Sequence, residues 1–403
     1  MGRSRLSLAF VVAVAAAAAA TFLLRPRSGL IQPAPVEAQQ YFTAMQLDRA
    51  EDFRGLQRVL GLAELGVGIA TLAVLVWRPP GRLLRRLESR PLLGGAAAGA
   101  GISLLLVVTG LPLRAWMRER ALDVGLATQA WPDWAVDVLK AAGIGAVTAA
   151  IGGLVAMALI RRFPRGWWAP AALLVVAYGV VTIWLYPIVI DPIFNRFERL
   201  PQGSLRSEVL QLADRAGVDV GEVYRVDASR RTTAANAYVI GLGHSKRVVL
   251  YDNLIDDFPP GQVRVVVAHE LGHQKHDDLL RGLAWLAIVA PGGTFLVKAL
   301  SERFARADRL RTPAALPVVA LAIALVGLGF GCASNVVSRR VEARADSFAL
   351  RLTDDPRDFI DFQRRISVKN ISDPDPPDLL HVLFDTHPTT VERIGYGVAV
   401  RSK

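Results

Sequence analysis

The chain has a single cysteine, Cys332, only six histidines and four methionines in 403 residues. One cysteine excludes a disulfide framework and any cysteine-rich zinc site, so a bound metal would have to be held by histidine and carboxylate. Acidic charge is also short, with 36 Asp+Glu against 47 Lys+Arg and a formal net charge of +11. In a soluble protein such an excess would suggest nucleic acid. Here the arginines cluster beside apolar runs, as residues flanking membrane spans do, and no nucleic-acid partner is expected. Apolar residues are abundant: 52% of the chain is hydrophobic and the mean hydropathy is +0.33. That composition argues against an ordinary soluble enzyme and for an integral membrane protein.

Seven stretches are apolar for about the 20 residues that a spanning helix needs, near 6–24, 59–77, 92–113, 135–160, 168–190, 282–300 and 313–337. The first could be a signal peptide, since Arg3 and Arg5 precede an alanine-rich core. No clear small-residue cleavage site precedes Arg25, which favours a retained span. The fourth carries Asp137 and Lys140 near its start, whereas 313–337 has no charge at all. The organisation expected is a membrane region of five spans over 1–190, a polar insert over 191–281, spans six and seven over 282–337, and a polar tail over 338–403. Within the insert, 223–227, 237–241 and 247–251 are β-branched or aromatic and bounded by turn residues, so they read as strands. Helical spacing marks 205–216 and 261–276, the latter behind Pro259-Pro260.

The strongest chemical signal is Val267-Ala268-His269-Glu270-Leu271-Gly272-His273. Two histidines four apart on a helix face the same way, so both imidazoles can reach one metal ion. Glu270, next to the first, can contact water in the open position of a zinc site, where a carboxylate accepts the proton as water attacks a carbonyl. A third ligand is needed, and Glu342 in Arg340-Val341-Glu342-Ala343-Arg344-Ala345-Asp346 is the best carboxylate for it. Asp346 lies one turn further on the same face, where it could orient a ligand histidine or hydrogen-bond substrate. The alternative is an exposed helix in which Glu342 pairs with Arg339 or Arg344. Two spans separate His273 from Glu342, and an even number returns the chain to the same side of the membrane, so the ligands can meet.

These blocks resemble the M48 metalloproteases, and within them the Ste24-type CAAX prenyl protease 1 group. The resemblance covers about 185–398. It includes the Pro187–Phe197 stretch closing the fifth span, Asp227-Ala228-Ser229-Arg230-Arg231, Asn236-Ala237-Tyr238 and Arg247 to Leu254. His269 to His273, Glu342 to Ala349, His387-Pro388 and Glu392-Arg393-Ile394 complete it. It implies a mainly α polytopic membrane protein of about seven spans with a zincin-like α+β metalloprotease domain formed by the insert and the tail. It implies one Zn2+ per chain held by His269, His273 and Glu342, with Glu270 as general base. It further implies His387 beside the substrate carbonyl and the Asn236, Ala237, Tyr238 strand binding substrate main chain, roles consistent with oxyanion stabilisation and sheet-edge addition. Read from the residues alone, His387 before Pro388 is a turn residue and Asn236 a turn or strand-edge residue. His276 has no ligand role and is expected to face solvent or support the site; His244 and His381 have no partner pattern. Where the family often has Ser-His-Ser ahead of Asn236, this chain has Thr233-Ala234-Ala235, and Asp385-Thr386 stands where a second histidine precedes His387. Specificity for prenylated substrates is therefore not implied with the catalytic set.

Partners expected are the lipid bilayer and peptide or protein substrates at the membrane, with a general quality-control protease as the alternative to a processor of lipidated chains. A rival outside the enzymes is a non-catalytic scaffold or transporter-like protein. The segments that share one side, the N-terminus, 78–90, 161–166 and 301–312, are basic, while the set holding the insert and tail is closer to balanced. That asymmetry puts the basic set in the cytoplasm of a bacterial-looking chain and the metal site outside. Eukaryotic members of the group work on the cytosolic side, so the two lines disagree.

Overall fold

The computed structural model describes residues 2–241, 246–305 and 309–401; His244 and, in the basic loop, Arg306 and Asp308 lie outside them. Seven helices among the described residues are long and apolar enough to cross a membrane. Helix α1 (Gly2–Leu24) is followed by α2 (Ala44–Trp77), the short α3 (Gly81–Glu88), α4 (Pro91–Asp123), α5 (Trp131–Arg162) and α6 (Trp168–Leu185). A π-helical turn (Tyr186–Ile190) and α7 (Asp191–Phe194) close the fifth span. The insert then supplies β1 (Phe197–Arg199), α8 (Ser204–Ala216), β2 (Glu222–Val226), β3 (Ala237–Ile240), β4 (Arg247–Tyr251), α9 (Asp252–Asp257) and α10 (Pro260–Lys275). Helices α11 (Asp278–Phe304) and α12 (Leu316–Thr353) are the sixth and seventh spans, and α13 (Pro356–Lys369), α14 (Asp378–Phe384) and α15 (Thr390–Arg401) form the tail.

Small residues let the spans approach closely, as packing in lipid requires. A Cβ on Gly99 of α4 would lie 2.1 Å from the Ala149 carbonyl of α5, and one on Gly95 would meet Met157 and the Gly153 carbonyl. The alanine-rich α1 packs the same way, with Ala9, Ala13 and Ala20 buried and Ala13 against Gly292 of α11. Several spans run beyond the apolar stretches. Helix α2 starts at a capping box of Thr43 and Gln46, well ahead of position 59, and its polar first turns reach the tail through Arg58 and Asp373 at 2.7 Å.

The sheet has the order β1-β2-β4-β3, with β2 and β4 parallel and both outer pairs antiparallel. One face (Val223, Val248, Leu250, Ala237) is buried against α8 and α10 in the main core. Tyr224, Tyr238, Arg247 and Tyr251 alternate onto the other. Three details differ from the sequence reading. Strand β1 has only three residues, too few to show alternation. Strand β3 stops at Ile240 because Gly241 turns to φ +107°, and β2 begins and ends one residue before the expected 223–227. His381, for which the sequence shows no partner pattern, lies one turn before Asp385, with the two side chains 3.0 Å apart.

Candidate metal centre

Helix α10 starts on Pro260, whose fixed φ suits the first helical position, and is buried through Val263, Val266, Val267 and Leu271. It packs on α12 where Gly272 meets Ala345 and Phe348; a Cβ there would lie 3.2–3.4 Å from both. This close approach brings the two ligand-bearing helices together. Helix α12 continues as one helix from the charge-free span into Glu342, Ala343, Arg344, Ala345 and Asp346, all buried.

The ligand atoms of His269, His273 and Glu342 lie within 4.8 Å of one another. The two imidazole Nε2 atoms are 3.2 Å apart. Glu342 Oε2 is 3.2 Å from His269 Nε2, and Oε1 is 3.6 Å from His273 Nε2. Tetrahedral bonds of about 2.1 Å set ligand atoms roughly 3.4 Å apart, so the trio fits a zinc-sized ion. Glu342 Oε2 is buried without a hydrogen-bond partner, an acceptor that a cation would satisfy.

The far side of each imidazole is held by a carboxylate. His269 Nδ1 is 2.8 Å from Asp346 Oδ1, and His273 Nδ1 is 3.1 Å from Asp278 Oδ2. An Nδ1–H donated to each leaves both Nε2 lone pairs directed at the metal position. The carboxylates are themselves fixed. Arg393 donates from Nε and Nη2 to both oxygens of Asp346 at 2.8 and 2.6 Å, and Arg344 pairs with Asp278. Burial opposes a charge on His269, but Asp346 and Glu342 outweigh it and push its pKa up to about 10. Burial also raises the Glu270 carboxyl above its ordinary value.

Glu270, His273 and Gln274 form one wall of a cavity of about 1200 Å³. Opposite are Tyr224, Tyr238, Arg247 and Tyr251 of the sheet, and a third wall is the end of the fifth span, Thr182 to Ile188 with Asp191. Trp184, Tyr186 and Ile188 of that span are exposed. Tyr238 donates to buried Asp191 at 3.0 Å, Asn195 donates to the same carboxylate at 2.7 Å, and Arg247 donates to the Pro187 carbonyl at 2.8 Å. Burial, then Asp191, raises the Tyr238 phenol well above its usual pKa and keeps it a donor.

The structure thus brings His269, Glu270, His273, Glu342 and Asp346 together, and sets His387 Nε2 3.3 Å from Glu342 Oε2. Asn236, Ala237 and Tyr238 lie apart from this group, at and just before β3, whose outer edge has no strand neighbour among the described residues. The Ala237 side chain is buried in the core, so only its main chain is free to meet a ligand. Arg344 and Arg339 do not pair with Glu342: Arg344 holds Asp278, and Arg339 donates to the carbonyls of His381, Val382 and Asp385. His276 caps α10 and stacks edge-on against Phe348, away from the ligands. Sequence reasoning missed Asp278 and Asp191 and gave Arg393 no role. Asp278 had one available signal, a carboxylate just past the end of the histidine helix.

The profile of peptidase family M48 matches residues 199–396, and that described as CAAX prenyl protease N-terminal, five membrane helices, matches 46–196. An uncharacterized metalloprotease of Bacillus subtilis, YhfN, is 31% identical over 300 residues, 73% of this chain and 70% of its own length. The CAAX prenyl protease 1 homolog of Arabidopsis thaliana is 31% identical over 224 residues, and the chain spans about half of it, 52%. CAAX prenyl protease 1 of Saccharomyces cerevisiae is 28% identical over 295 residues, 65% of this chain and 62% of its own. The crystal structure of S. mikatae Ste24p superposes with a TM-score of 0.78 over 98% of this chain and 99% of that one, at 17% identity, which establishes a shared fold.

Proposed function

From the premise that this chain belongs to peptidase family M48 and is a multi-pass membrane metalloprotease, we propose a zinc endopeptidase acting on membrane-associated or lipidated polypeptides. The observation that carries this reading is the convergence of His269, His273 and Glu342 beside buried Glu270, in a cavity walled partly by a membrane span. His269 Nε2, His273 Nε2 and Glu342 would hold one Zn2+ per chain, and the orphaned Glu342 oxygen fits that assignment. When bound there, zinc supplies a Lewis acid that polarises the scissile carbonyl and acidifies water.

The chain's own groups do the rest. Glu270 takes the proton from the attacking water and returns it to the leaving amine. Asp346, held by Arg393, and Asp278, held by Arg344, keep the imidazoles in the ligating tautomer and orientation. His387 lies near enough to Glu342 to reach the developing oxyanion. The outer edge of β3 has no strand neighbour among the described residues, and the Ala237 main chain on it offers hydrogen bonds to an extended substrate, whereas the Asn236 carbonyl is taken by Tyr251 N–H and that of Val239 by Gln274. The exposed Trp184, Tyr186 and Ile188 on the cavity's membrane wall favour a substrate that arrives from the bilayer. Thr233-Ala234-Ala235 and Asp385-Thr386, which depart from the pattern of the prenyl-processing group, favour a substrate range wider than prenylated chains. The basic loops at the opposite end of the bundle favour a bacterial plasma membrane with the site outside; a reporter fused to the C-terminus and active only in the cytoplasm tests the orientation.

The decisive test is Glu270→Gln in the full chain. Cleavage of a membrane-anchored reporter should fall by about a thousandfold with zinc retained. A variant that cleaves at the wild-type rate removes the mechanism. Offering the same peptide with and without a prenyl group separates the two substrate readings.

A further inference from the structure

The end of the bundle remote from the metal centre is basic, and among the described residues most of its arginines have no ion-pair partner. It comprises the chain between α2 and α4, including α3, the turn from α5 to α6, and residues 309–315 before α12. These parts form one surface. A Cβ on Gly94 of α4 would meet both the Leu87 carbonyl of α3 and Pro313 ahead of α12, and Arg161 of α5 donates to the Arg311 carbonyl at 3.2 Å. Arg78, Arg82, Arg85, Arg86, Arg90 and Arg162 have no ion-pair partner among the described residues. Of the nearby carboxylates, Glu302 is taken by Lys298 at 2.6 Å, and Glu88 at the end of α3 forms no ion pair with these arginines among the described residues. At the opposite end arginines are commonly paired within the protein, as Arg58 is with Asp373, Arg206 with Glu222, Arg231 with Asp137 and Arg393 with Asp346.

A second observation concerns α3 itself. At 100° per residue, Arg82, Arg85 and Arg86 fall on one side of the helix and Leu83 and Leu87 on the other. Leu83 is exposed and Leu87 half-buried, so the protein leaves part of that apolar side uncovered. The helix joins the ends of two membrane spans, the level at which hydrocarbon gives way to headgroups. A soluble acidic protein would match the arginines but leave Leu83 in water; a bilayer surface takes both faces at once.

We propose that α3, with Arg78, Arg90 and Arg162 around it, is a docking surface for anionic phospholipid headgroups. The guanidinium groups meet the phosphate oxygens, and the leucine side enters the acyl region. This surface lies at the other end of the spans from the metal centre and does not depend on the hydrolytic reading.

The test uses the full chain purified in detergent, given an equal mixture of phosphatidylglycerol and phosphatidylcholine with matched acyl chains, with bound lipid counted by native mass spectrometry. The wild type should retain phosphatidylglycerol preferentially, and added salt should reduce the preference. Each basic residue at a charged surface is worth about fivefold in binding, so Arg82→Gln with Arg85→Gln and Arg86→Gln should lower the preference by about tenfold or more. The corresponding triple lysine variant should keep most of it, and thermal melting confirms that both variants fold. Should the glutamine variant not fold, the salt response of the wild type still decides. Equal retention of the two lipids by the wild type overturns the proposal. So does a folded glutamine variant with unchanged preference, or displacement of the lipid by soluble glycerol phosphate at comparable concentration.

Discussion

The fifth and seventh spans both deliver chain to the candidate site, and they do so by opposite means. The seventh passes without a break into the buried helix that carries Glu342 and Asp346, so membrane span and ligand arm are one rigid body. The fifth unwinds through a π turn containing Pro187, restarts for a few residues around Pro192, and leaves as an extended strand. What holds it is a set of polar pins: Tyr238 and Asn195 on Asp191, Arg247 on the Pro187 carbonyl, and Arg231 joining Asn195 to Asp137 of α5. Metal coordination tolerates little positional error, and a continuous helix supplies that rigidity. A peptide-binding wall has to receive different side chains, and a pinned, interrupted segment is suited to that task; π turns are frequent at such places.

Disabling the rigid arm should have the largest effect. Glu342→Ala removes a ligand and leaves two histidines facing an incomplete site, so cleavage should drop by at least about a thousandfold in a peptidase assay. Loosening the arm's grip is a smaller change. Asp346→Asn frees the His269 ring, and zinc affinity measured by chelator competition should weaken by about 10- to 100-fold, with activity restored by excess zinc. Replacing Arg393 by Lys, which cannot make the two-pronged contact, should move affinity the same way but less.

On the pinned wall the readout changes character. Asp191→Asn should raise KM several-fold, about three to ten, while zinc content and kcat stay near wild type. Tyr238→Phe, losing only one donor to Asp191, should shift KM by about threefold or less. A fall in zinc content in either variant would mean that the two regions are not separate devices.

The parts of this arrangement that were legible in the sequence are those set by spacing along one helix. His269 and His273 announce themselves at four residues apart, and Glu342 with Asp346 repeats that spacing on the helix leaving a charge-free span. The even number of spans between them is also countable. Contacts between distant elements leave no such trace: Arg393 reaches Asp346 from a different helix 47 positions away, and Arg344 reaches Asp278 across two spans, 66 positions away. Hydropathy marks only part of α2, whose polar first turns lengthen the helix toward the tail and are held by ion pairs such as Arg58 with Asp373, whereas the continuation of α12 past the seventh span is readable from the helical spacing around Glu342. The π turn and the three-residue β1 were invisible, since neither is long enough to set up a period.

The central claim, that one ion is gripped by two imidazoles of α10 and a carboxylate of α12, is tested most directly by counting metal in the purified full chain. Elemental analysis of the wild type and of Glu342→Ala, each confirmed as folded by thermal melting, should give about one zinc per chain in the first and well under half of that in the second. A folded Glu342→Ala protein that still carries one zinc per chain would contradict the account.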